Sequence, residues 1–188
     1  MSNEFTIFCG PMMSGKTTKL LLTLEKFKYQ KKKYVLFKPQ IDDRYSEQKV
    51  VTHGGWQMDS VTIHNAAEII KHLSSLEERP EVIAVDEAFM ISGIADILIW
   101  LYRSNFSVIV STLDMSSAAK PFKEIEKMMP WATKVEKCCA VCTVCGADAY
   151  YTHKKIENDS EIEVGGDDLY EARCLKHHVN ASTTSEGF

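Results

Sequence analysis

A glycine-rich stretch near the start of the sequence has the spacing of a phosphate-binding loop. Residues 5–18 read FTIFCGPMMSGKTT, which contains the pattern G-x-x-x-x-G-K-T from Gly10 to Thr17. The aromatic and β-branched residues before it predict a strand, and the apolar periodicity after it predicts a helix. A strand, such a loop and a helix in this order form a P-loop, whose backbone N–H groups bind a triphosphate at the positive end of the helix.

The P-loop side chains have separate expected roles. We expect Lys16 to reach the β- and γ-phosphate oxygens and the Thr17 hydroxyl to bind the Mg²⁺ ion that bridges them. The lack of a side chain at Gly10 and Gly15 lets phosphate approach the backbone. The predicted ATP- and phosphate-binding residues of this loop are Gly10, Pro11, Met12, Met13, Ser14, Gly15, Lys16, Thr17 and Thr18.

Two adjacent acids follow an apolar run further along the chain. Residues 82–85 read VIAV and predict a buried strand, after which come Asp86 and Glu87. Downstream of a P-loop, this is the Walker B position, where Asp86 would contribute to Mg²⁺ binding. Glu87 would project toward the attacking group and accept its proton. Alternatively, Glu87 is a helix N-cap or an exposed acid in a turn.

A charged loop follows the predicted strand at residues 34–37. It reads KPQIDDRY from residue 38 to 45 and lies where an α/β sheet presents its strand ends to a ligand. Asp42 could contact Mg²⁺ and Arg44 could contact phosphate. A solvent-exposed turn explains the same composition equally well.

The cysteines indicate a metal site. Five of the six cysteines lie between residues 138 and 174, and in a reducing compartment metal binding accounts for them better than disulfides do. Cys142 and Cys145 form one pair and Cys174 and His177 another, which supplies the four ligands of a tetrahedral, structural Zn²⁺ site. Three alternatives stay open, namely Cys139 pairing with Cys142, His178 replacing His177, and free buried thiols.

Alternating strand and helix patterns up to about residue 137 predict the fold that positions these residues. We expect an α/β fold with a mostly parallel sheet covered by helices on both faces. Beyond the P-loop helix, we expect a helix opened by an Asn65–Glu68 capping box, one capped by Ser92, and one with Pro121 at its first position. Residues 46–60 are polar and predict a loop.

Three segments differ in composition and suggest a domain organisation. We expect a nucleotide-binding domain at residues 1–137, a small zinc-binding domain at 138–178 and a disordered tail at 179–188. Within the second, residues 150–153 and 161–164 alternate like the strands of a hairpin.

Composition limits the classes of partner. The chain has 188 residues, 45% of them hydrophobic, and a net charge of −4. This acidic balance predicts neither nucleic acid nor an anionic membrane as a partner, and no apolar run approaches the roughly 20 residues of a spanning helix. The start of the sequence lacks the features of a signal peptide, so we expect a cytoplasmic protein.

Taken together, the motifs closely resemble those of the type II thymidine kinase family over residues 4–178. They are the P-loop, KPQIDDRY, VDE at residues 85–87, the L-D…K-P-F stretch at 113–122 and the zinc pairs around GGDDLY at 165–170. The resemblance implies a P-loop NTPase-like fold with a zinc-bearing lasso over the nucleoside. It also implies phosphorylation of the 5′-hydroxyl of thymidine or deoxyuridine by ATP with Mg²⁺, and usually a homotetramer.

The resemblance also implies residue roles. Glu87 matches the general base, and Asp42, Arg44 and Asp86 match positions around phosphate and Mg²⁺. The implied nucleoside-binding positions are Leu113, Ser117, Thr152, Ile162, Val164 and Tyr170.

Two positions depart from the family pattern. Phe89 stands where the family has an amide, and Ser117 lies where a pocket aromatic is expected. Loss of an aromatic side chain that stacks on the base could cost about 1–3 kcal/mol of binding free energy. Two alternatives to a thymidine kinase are therefore a kinase for deoxyuridine or a modified pyrimidine deoxynucleoside, and a catalytically weak nucleotide-binding regulatory protein.

Overall fold

The computed structural model describes residues 3–40, 49–52, 54–155, 166 and 168–178. The strands in this part of the chain are β1 (Phe5–Cys9), β2 (Tyr34–Pro39), β3 (Lys49–Val51), β4 (Gln57–Asp59), β5 (Val61–Ile63), β6 (Val82–Val85), β7 (Ser107–Thr112), β8 (Lys134–Lys137), β9 (Ala140–Val141), β10 (Asp148–Ala149), β11 (Tyr151–Lys154) and β12 (Tyr170–Arg173). The helices are α1 (Lys16–Tyr29), α2 (Ala67–Ser75), α3 (Ile94–Arg103) and α4 (Lys123–Met128). Short 3-10 turns span Ala88–Met90, Met129–Trp131 and Leu175–His177.

Six strands form the central sheet in the order β5-β2-β6-β7-β1-β8. Every neighbouring pair in it is parallel. The expected parallel sheet with helices is therefore confirmed. Because all six strands run in the same direction, the segments that follow β1, β6 and β7 emerge at one edge of the sheet.

Side chains of the central strands alternate between two apolar layers. In β1, Phe5, Ile7 and Cys9 join the cluster that contains the buried residues of α2, α3 and α4. Phe8 points the other way and joins the cluster that contains Leu20 and its helical neighbours from α1. The period-two alternation of a strand thus fills both layers, which explains why the strands read as continuous apolar runs.

The predicted loop at residues 46–60 is wrong for most of the part that the structure describes. Strands β3 and β4 form an antiparallel hairpin here, with Val50 opposite Met58. Val50 is buried, and Trp56 and Met58 pack against the same apolar cluster as α1. Each strand is only three residues long and contains polar residues, namely Lys49 in β3 and Gln57 and Asp59 in β4, so the overall composition is that of a loop.

Helix α3 begins with a cap at a residue other than the predicted one. The expectation that Ser92 caps it is wrong, because Gly93 is the N-cap residue. The carboxylate of Glu124 accepts hydrogen bonds from the backbone N–H groups of Gly93 at 3.1 Å and Ala95 at 2.8 Å. This acceptor comes from α4, so the cap is a tertiary contact.

Two other helix starts also differ in detail from the prediction. Pro121 does not open α4, since it forms a β-bridge with Met115 and the helix begins at Lys123. At α2, Asn65 Oδ1 accepts a hydrogen bond from the N–H of Ala67 at 3.1 Å, whereas the Glu68 carboxylate accepts from His64 at 2.9 Å. Neither bond is that of a capping box between Asn65 and Glu68, and the N-cap residue of α2 is Ala66, so the predicted capping box is wrong.

The segment after residue 137 forms two short antiparallel pairs, β9 with β10 and β11 with β12. The predicted hairpin partner of residues 150–153, at 161–164, lies outside the described residues, as does the predicted tail at 179–188. Within the described residues, β11 pairs with β12, and the hairpin with residues 161–164 stays a prediction. Among the described helices, none has the length and apolar character needed to cross a membrane. The proposed domain boundary at residue 137 stays a prediction.

Candidate functional site

The P-loop connects β1 to α1 through two glycines with positive φ. Gly10 has φ 139°, and a Cβ atom there would lie 2.3 Å from the carbonyl oxygen of Cys138. Gly15 has φ 74° and precedes the first residue of α1. A side chain at Gly10 would thus collide with the backbone that follows β8, whereas Gly15 is required by its conformation.

Lys16 lies buried beneath the loop and is 7% exposed. Its Nζ donates hydrogen bonds to the Pro11 carbonyl at 2.6 Å and to the Ser14 hydroxyl at 3.4 Å. Burial lowers the pKa of Lys16, and the negative charges of Glu87 and Asp86 oppose that shift. The loop therefore holds its cation close to both acids of the predicted Walker B pair.

Asp86 follows β6 directly and is 5% exposed. Its carboxylate accepts a hydrogen bond from Thr17 Oγ1, at 3.1 Å to Oδ1 and 3.3 Å to Oδ2. The hydroxyl of Ser111, in β7, donates to Oδ1 as well. The structure thus brings together the predicted Mg²⁺ residues Thr17 and Asp86. Sequence reasoning missed Ser111, whose only signal was a hydroxyl near the end of a buried strand.

Glu87 occupies a left-handed backbone conformation, with φ 50° and ψ 43°. It is half-buried and follows Asp86 at the same edge of the sheet. Two residues later, Phe89 is 9% exposed and stacks on Phe122, with ring centroids 4.8 Å apart. The aromatic side chain at position 89 is thus part of the apolar layer, and an amide there would lose this contact.

Of the predicted nucleoside-binding residues that the structure describes, three are buried, namely Leu113, Thr152 and Tyr170. Thr152 Oγ1 accepts a hydrogen bond from the backbone N–H of Met12 at 3.1 Å, which links β11 to the P-loop. Ser117 is half-buried, and its carbonyl oxygen lies 3.0 Å from His178 Nε2. The predicted residues Asp42, Arg44, Ile162 and Val164 lie outside the described residues.

An ion pair joins the strand ends beside the P-loop. Lys137, at the end of β8, lies 2.8 Å from the carboxylate of Asp114, which follows β7 closely. Despite partial burial, the hydrogen bond to Asp114 and its negative charge raise the pKa of Lys137. Sequence reasoning did not assign either residue a role, because their partners lie in different strands.

Four side chains form a compact group suited to a metal ion. The candidate ligand atoms of Cys142, Cys145, Cys174 and His177 all lie within 4.8 Å of one another. The two sulfur atoms of Cys145 and Cys174 are 3.8 Å apart, and His177 Nδ1 is 3.2 Å from Cys174 Sγ and 3.7 Å from Cys142 Sγ. Tetrahedral Zn²⁺ with zinc–sulfur bonds near 2.3 Å implies a sulfur–sulfur separation of about 3.8 Å. The donor set therefore fits zinc.

The alternatives to this ligand set lie elsewhere. His178 contacts Ser117 and stacks on Tyr151. Cys139 is exposed and does not belong to the compact group.

Backbone N–H groups, that of Cys174 first, lower the pKa of Cys142 to about 6. A thiol with this pKa is mainly thiolate at neutral pH, which is the form that binds a metal.

A comparison with protein-family models gives one match that spans nearly the whole chain. The model described as thymidine kinase matches residues 3–178.

Comparison with solved structures gives matches at low sequence identity. The genome packaging NTPase B204 of Sulfolobus turreted icosahedral virus 2, in complex with ATP-gammaS, is 14% identical, with a TM-score of 0.41 over 68% of this chain and 72% of that chain. The ATPase DotB of Legionella pneumophila is 11% identical, with a TM-score of 0.45 over 79% of this chain and 44% of that chain.

Proposed function

Since this chain belongs to the thymidine kinase family, we propose that it transfers the γ-phosphoryl group of ATP to the 5′-hydroxyl of thymidine. The observation that carries the proposal is the hydrogen bond of Thr17 to Asp86 beside the buried Lys16. A hydroxyl, a carboxylate and an ammonium at one end of a P-loop are the groups that phosphoryl transfer needs around Mg²⁺ and the triphosphate.

The P-loop residues would bind and orient the nucleotide. Backbone N–H groups at the start of α1 bind the phosphates, and Lys16 neutralises charge on the β- and γ-phosphate oxygens. Thr17 and Asp86 would hold Mg²⁺, and that ion supplies charge neutralisation on the transferring group. Arg44 and Asp42 belong to the same proposal as contacts to phosphate and Mg²⁺, carried by the family resemblance of their motif.

Glu87 would act as the general base. As the 5′-oxygen of thymidine forms its bond to the γ-phosphorus, the bond from that phosphorus to the β,γ-bridging oxygen breaks, and the Glu87 carboxylate accepts the hydroxyl proton. The products are thymidine monophosphate and ADP. The half-buried position of Glu87, next to Asp86 at the strand edge, supports this role.

The nucleoside would lie against residues from two segments. Leu113 and Ser117 come from the stretch after β7, and Thr152 and Tyr170 come from β11 and β12. Ile162 and Val164 complete the proposed set. The link of Thr152 to Met12 supports a pocket that adjoins the P-loop.

Zinc would have a structural role. The group formed by Cys142, Cys145, Cys174 and His177 offers four protein donors, so a tetrahedral ion bound there has no open position for a substrate. It would join the segment after β9 to the segment after β12. We propose that the protein works as a homotetramer, as the family resemblance implies, and that it works in the cytoplasm.

A second candidate is a kinase with a different pyrimidine preference. Ser117 offers no ring to stack on a base, and Phe89 packs against Phe122 in the apolar layer. Deoxyuridine or a modified pyrimidine deoxynucleoside would then be accepted as well as, or better than, thymidine.

A phosphorylation panel tests both candidates. The purified chain is incubated with Mg-ATP and, separately, with thymidine, deoxyuridine, deoxycytidine and purine deoxynucleosides. Turnover of thymidine at the highest kcat/KM supports the first candidate, and preference for another pyrimidine supports the second. Absence of turnover on all of them, with ATP still bound, would contradict both and favour a regulatory nucleotide-binding protein.

Two variants test whether turnover in this panel depends on Glu87 as the general base. Glu87→Gln should lower kcat by about 10²–10⁴, the usual contribution of a general base, and keep ATP binding. The exposed Glu126→Gln, on α4, is the matched control and should leave kcat unchanged. Full turnover by Glu87→Gln would show that another group accepts the proton.

A further inference from the structure

The stretch after β7 is a compact turn with hydrogen bonds and a β-bridge between its own backbone groups. The N–H of Phe122 donates to the Asp114 carbonyl at 3.2 Å, and Met115 bridges to Pro121. The N–H of Ser116 donates to the Lys120 carbonyl at 2.8 Å. These bonds close residues 114–122, here called the Ser117 turn, and leave Ser117 near its tip.

His178, which follows β12 and the 3-10 turn Leu175–His177, contacts the tip of this turn. Its Nε2 lies 3.0 Å from the Ser117 carbonyl oxygen. A carbonyl oxygen can only accept a hydrogen bond, so we assign the proton of the imidazole to Nε2. This contact spans 61 positions of the sequence and reaches the turn that carries a predicted nucleoside-binding residue.

Further contacts hold the backbone and the ring of His178 in place. The Cys174 carbonyl accepts the backbone N–H groups of His177 at 3.0 Å and His178 at 2.9 Å. The ring stacks on Tyr151, with centroids 4.9 Å apart. Tyr151 precedes Thr152, which accepts the hydrogen bond from Met12 of the P-loop. His178 therefore directly follows the compact group of Cys142, Cys145, Cys174 and His177, here called the Cys/His group, and packs on the strand that contacts the P-loop.

We propose that His178 is a positioning residue for the nucleoside site. Its hydrogen bond to the Ser117 carbonyl would hold the Ser117 turn where Ser117 and Leu113 can contact the nucleoside. The proposal rests on the proposed function, since it assumes that Ser117 and Leu113 contact the nucleoside. It adds a route by which the Cys/His group contributes to substrate binding, because His177 and His178 are adjacent and share one carbonyl acceptor. His178 would not touch the reacting atoms.

Two variants separate the hydrogen bond from the ring packing. His178→Phe keeps an aromatic ring to stack on Tyr151 and removes the N–H donor. His178→Gln removes the ring and offers an amide donor to the same carbonyl. Lys176→Ala is the matched control, because Lys176 is exposed in the short 3-10 turn that directly precedes His178.

The expected result is a split between the two steady-state constants. His178→Phe should raise the KM for thymidine about fivefold, the size of effect expected for one neutral hydrogen bond, with kcat, the KM for ATP and the zinc content unchanged. His178→Gln should recover most of the loss, and Lys176→Ala should match the wild type. A wild-type KM in His178→Phe, or an equal fall in kcat, would overturn the proposal.

Amide hydrogen exchange tests the same contact without turnover. Exchange at Ser116 and Ala119, whose N–H groups close the Ser117 turn, should be faster in His178→Phe than in the wild type and in Lys176→Ala. Unchanged exchange would overturn the proposal. If the wild type phosphorylates no nucleoside, the proposed function fails, and exchange still decides whether His178 holds the turn.

Discussion

At the scale of single residues, Gly10 has the strictest steric requirement in the P-loop. A Cβ atom at this position would lie 2.3 Å from the Cys138 carbonyl oxygen, and both groups belong to backbone that cannot move independently. We expect Gly10→Ala to lower the free energy of unfolding by about 3 kcal/mol. Chemical denaturation would measure it.

The matched control for that substitution is Gly55→Ala. Gly55 also has a positive φ, of 82°, but a Cβ there would meet no heavy atom within 4 Å. Its substitution should cost only the backbone strain, about 1–2 kcal/mol. Equal losses in the two variants would mean that the approach of Cys138 to Gly10 is not what excludes a side chain.

Cys9, at the end of β1, should make the free energy of unfolding depend on pH in the alkaline range. Burial first, and the charge of Asp114 second, raise the pKa of Cys9 to about 11, while Lys137 opposes the shift. The unfolded chain therefore loses this proton before the folded chain does. Because the folded state binds more protons between about pH 9 and 11, the free energy of unfolding falls as pH rises through that range.

Cys9→Ala should remove that part of the pH dependence. Urea denaturation at several pH values above 8 gives the slope for each protein, and the variant should have the shallower decline. The exposed Cys139→Ala is the control and should keep the wild-type slope. Identical slopes in wild type and Cys9→Ala would contradict the raised pKa.

At the scale of elements, the start of α3 depends on a side chain from α4. Glu124 accepts two backbone N–H groups there, from Gly93 and Ala95. Glu124→Ala should lower the free energy of unfolding by about 1–2 kcal/mol, as loss of a helix cap does. Glu126→Ala changes the same residue type on the same helix at an exposed position, and its effect should be much smaller. Denaturant titration of both variants measures the difference.

The elements that could be predicted from sequence are those whose pattern is local. The P-loop strand and helix, and the buried strand before Asp86, each have their signal within a few residues. Strand β8 has none, because its side chains are largely exposed and Val135 is its only apolar residue. Its place in the sheet comes from its pairing with β1, far away in sequence.

The same distinction applies to the candidate site. Lys16, Thr17 and Asp86 could be identified because their motifs fix their spacing, and the structure brings Thr17 and Asp86 together. The contributions of Ser111 and of the Lys137–Asp114 ion pair could not be predicted, because each contact joins two elements. The sequence does not distinguish His177 from His178 as a ligand, because both follow Cys174 at spacings that occur in metal sites, whereas in the structure His177 lies with the three cysteines.

At the scale of the whole molecule, the Cys/His group should determine whether the segment after β8 keeps its structure. The purified protein should contain about one equivalent of zinc per chain, and chelation should lower the melting temperature, because four ligands from two distant segments are then released. Metal analysis and thermal denaturation measure the two effects.

Two cysteine variants locate the site. Cys174→Ser removes one of the grouped thiols and should lose the zinc, whereas Cys139→Ser should retain it. Retention of zinc by Cys174→Ser together with its loss from Cys139→Ser would mean that Cys139 belongs to the ligand set.

The order of strands in the sheet also affects how the chain folds during its synthesis. Strand β1 is made first of the six but pairs with β7 and β8, so that Phe5 lies opposite Val108 and Thr6 opposite Lys134. At about 5–20 residues per second, a ribosome takes on the order of ten seconds to produce those partners. Until then the apolar strand that carries the P-loop has neither neighbour, and we expect the nascent chain to expose it.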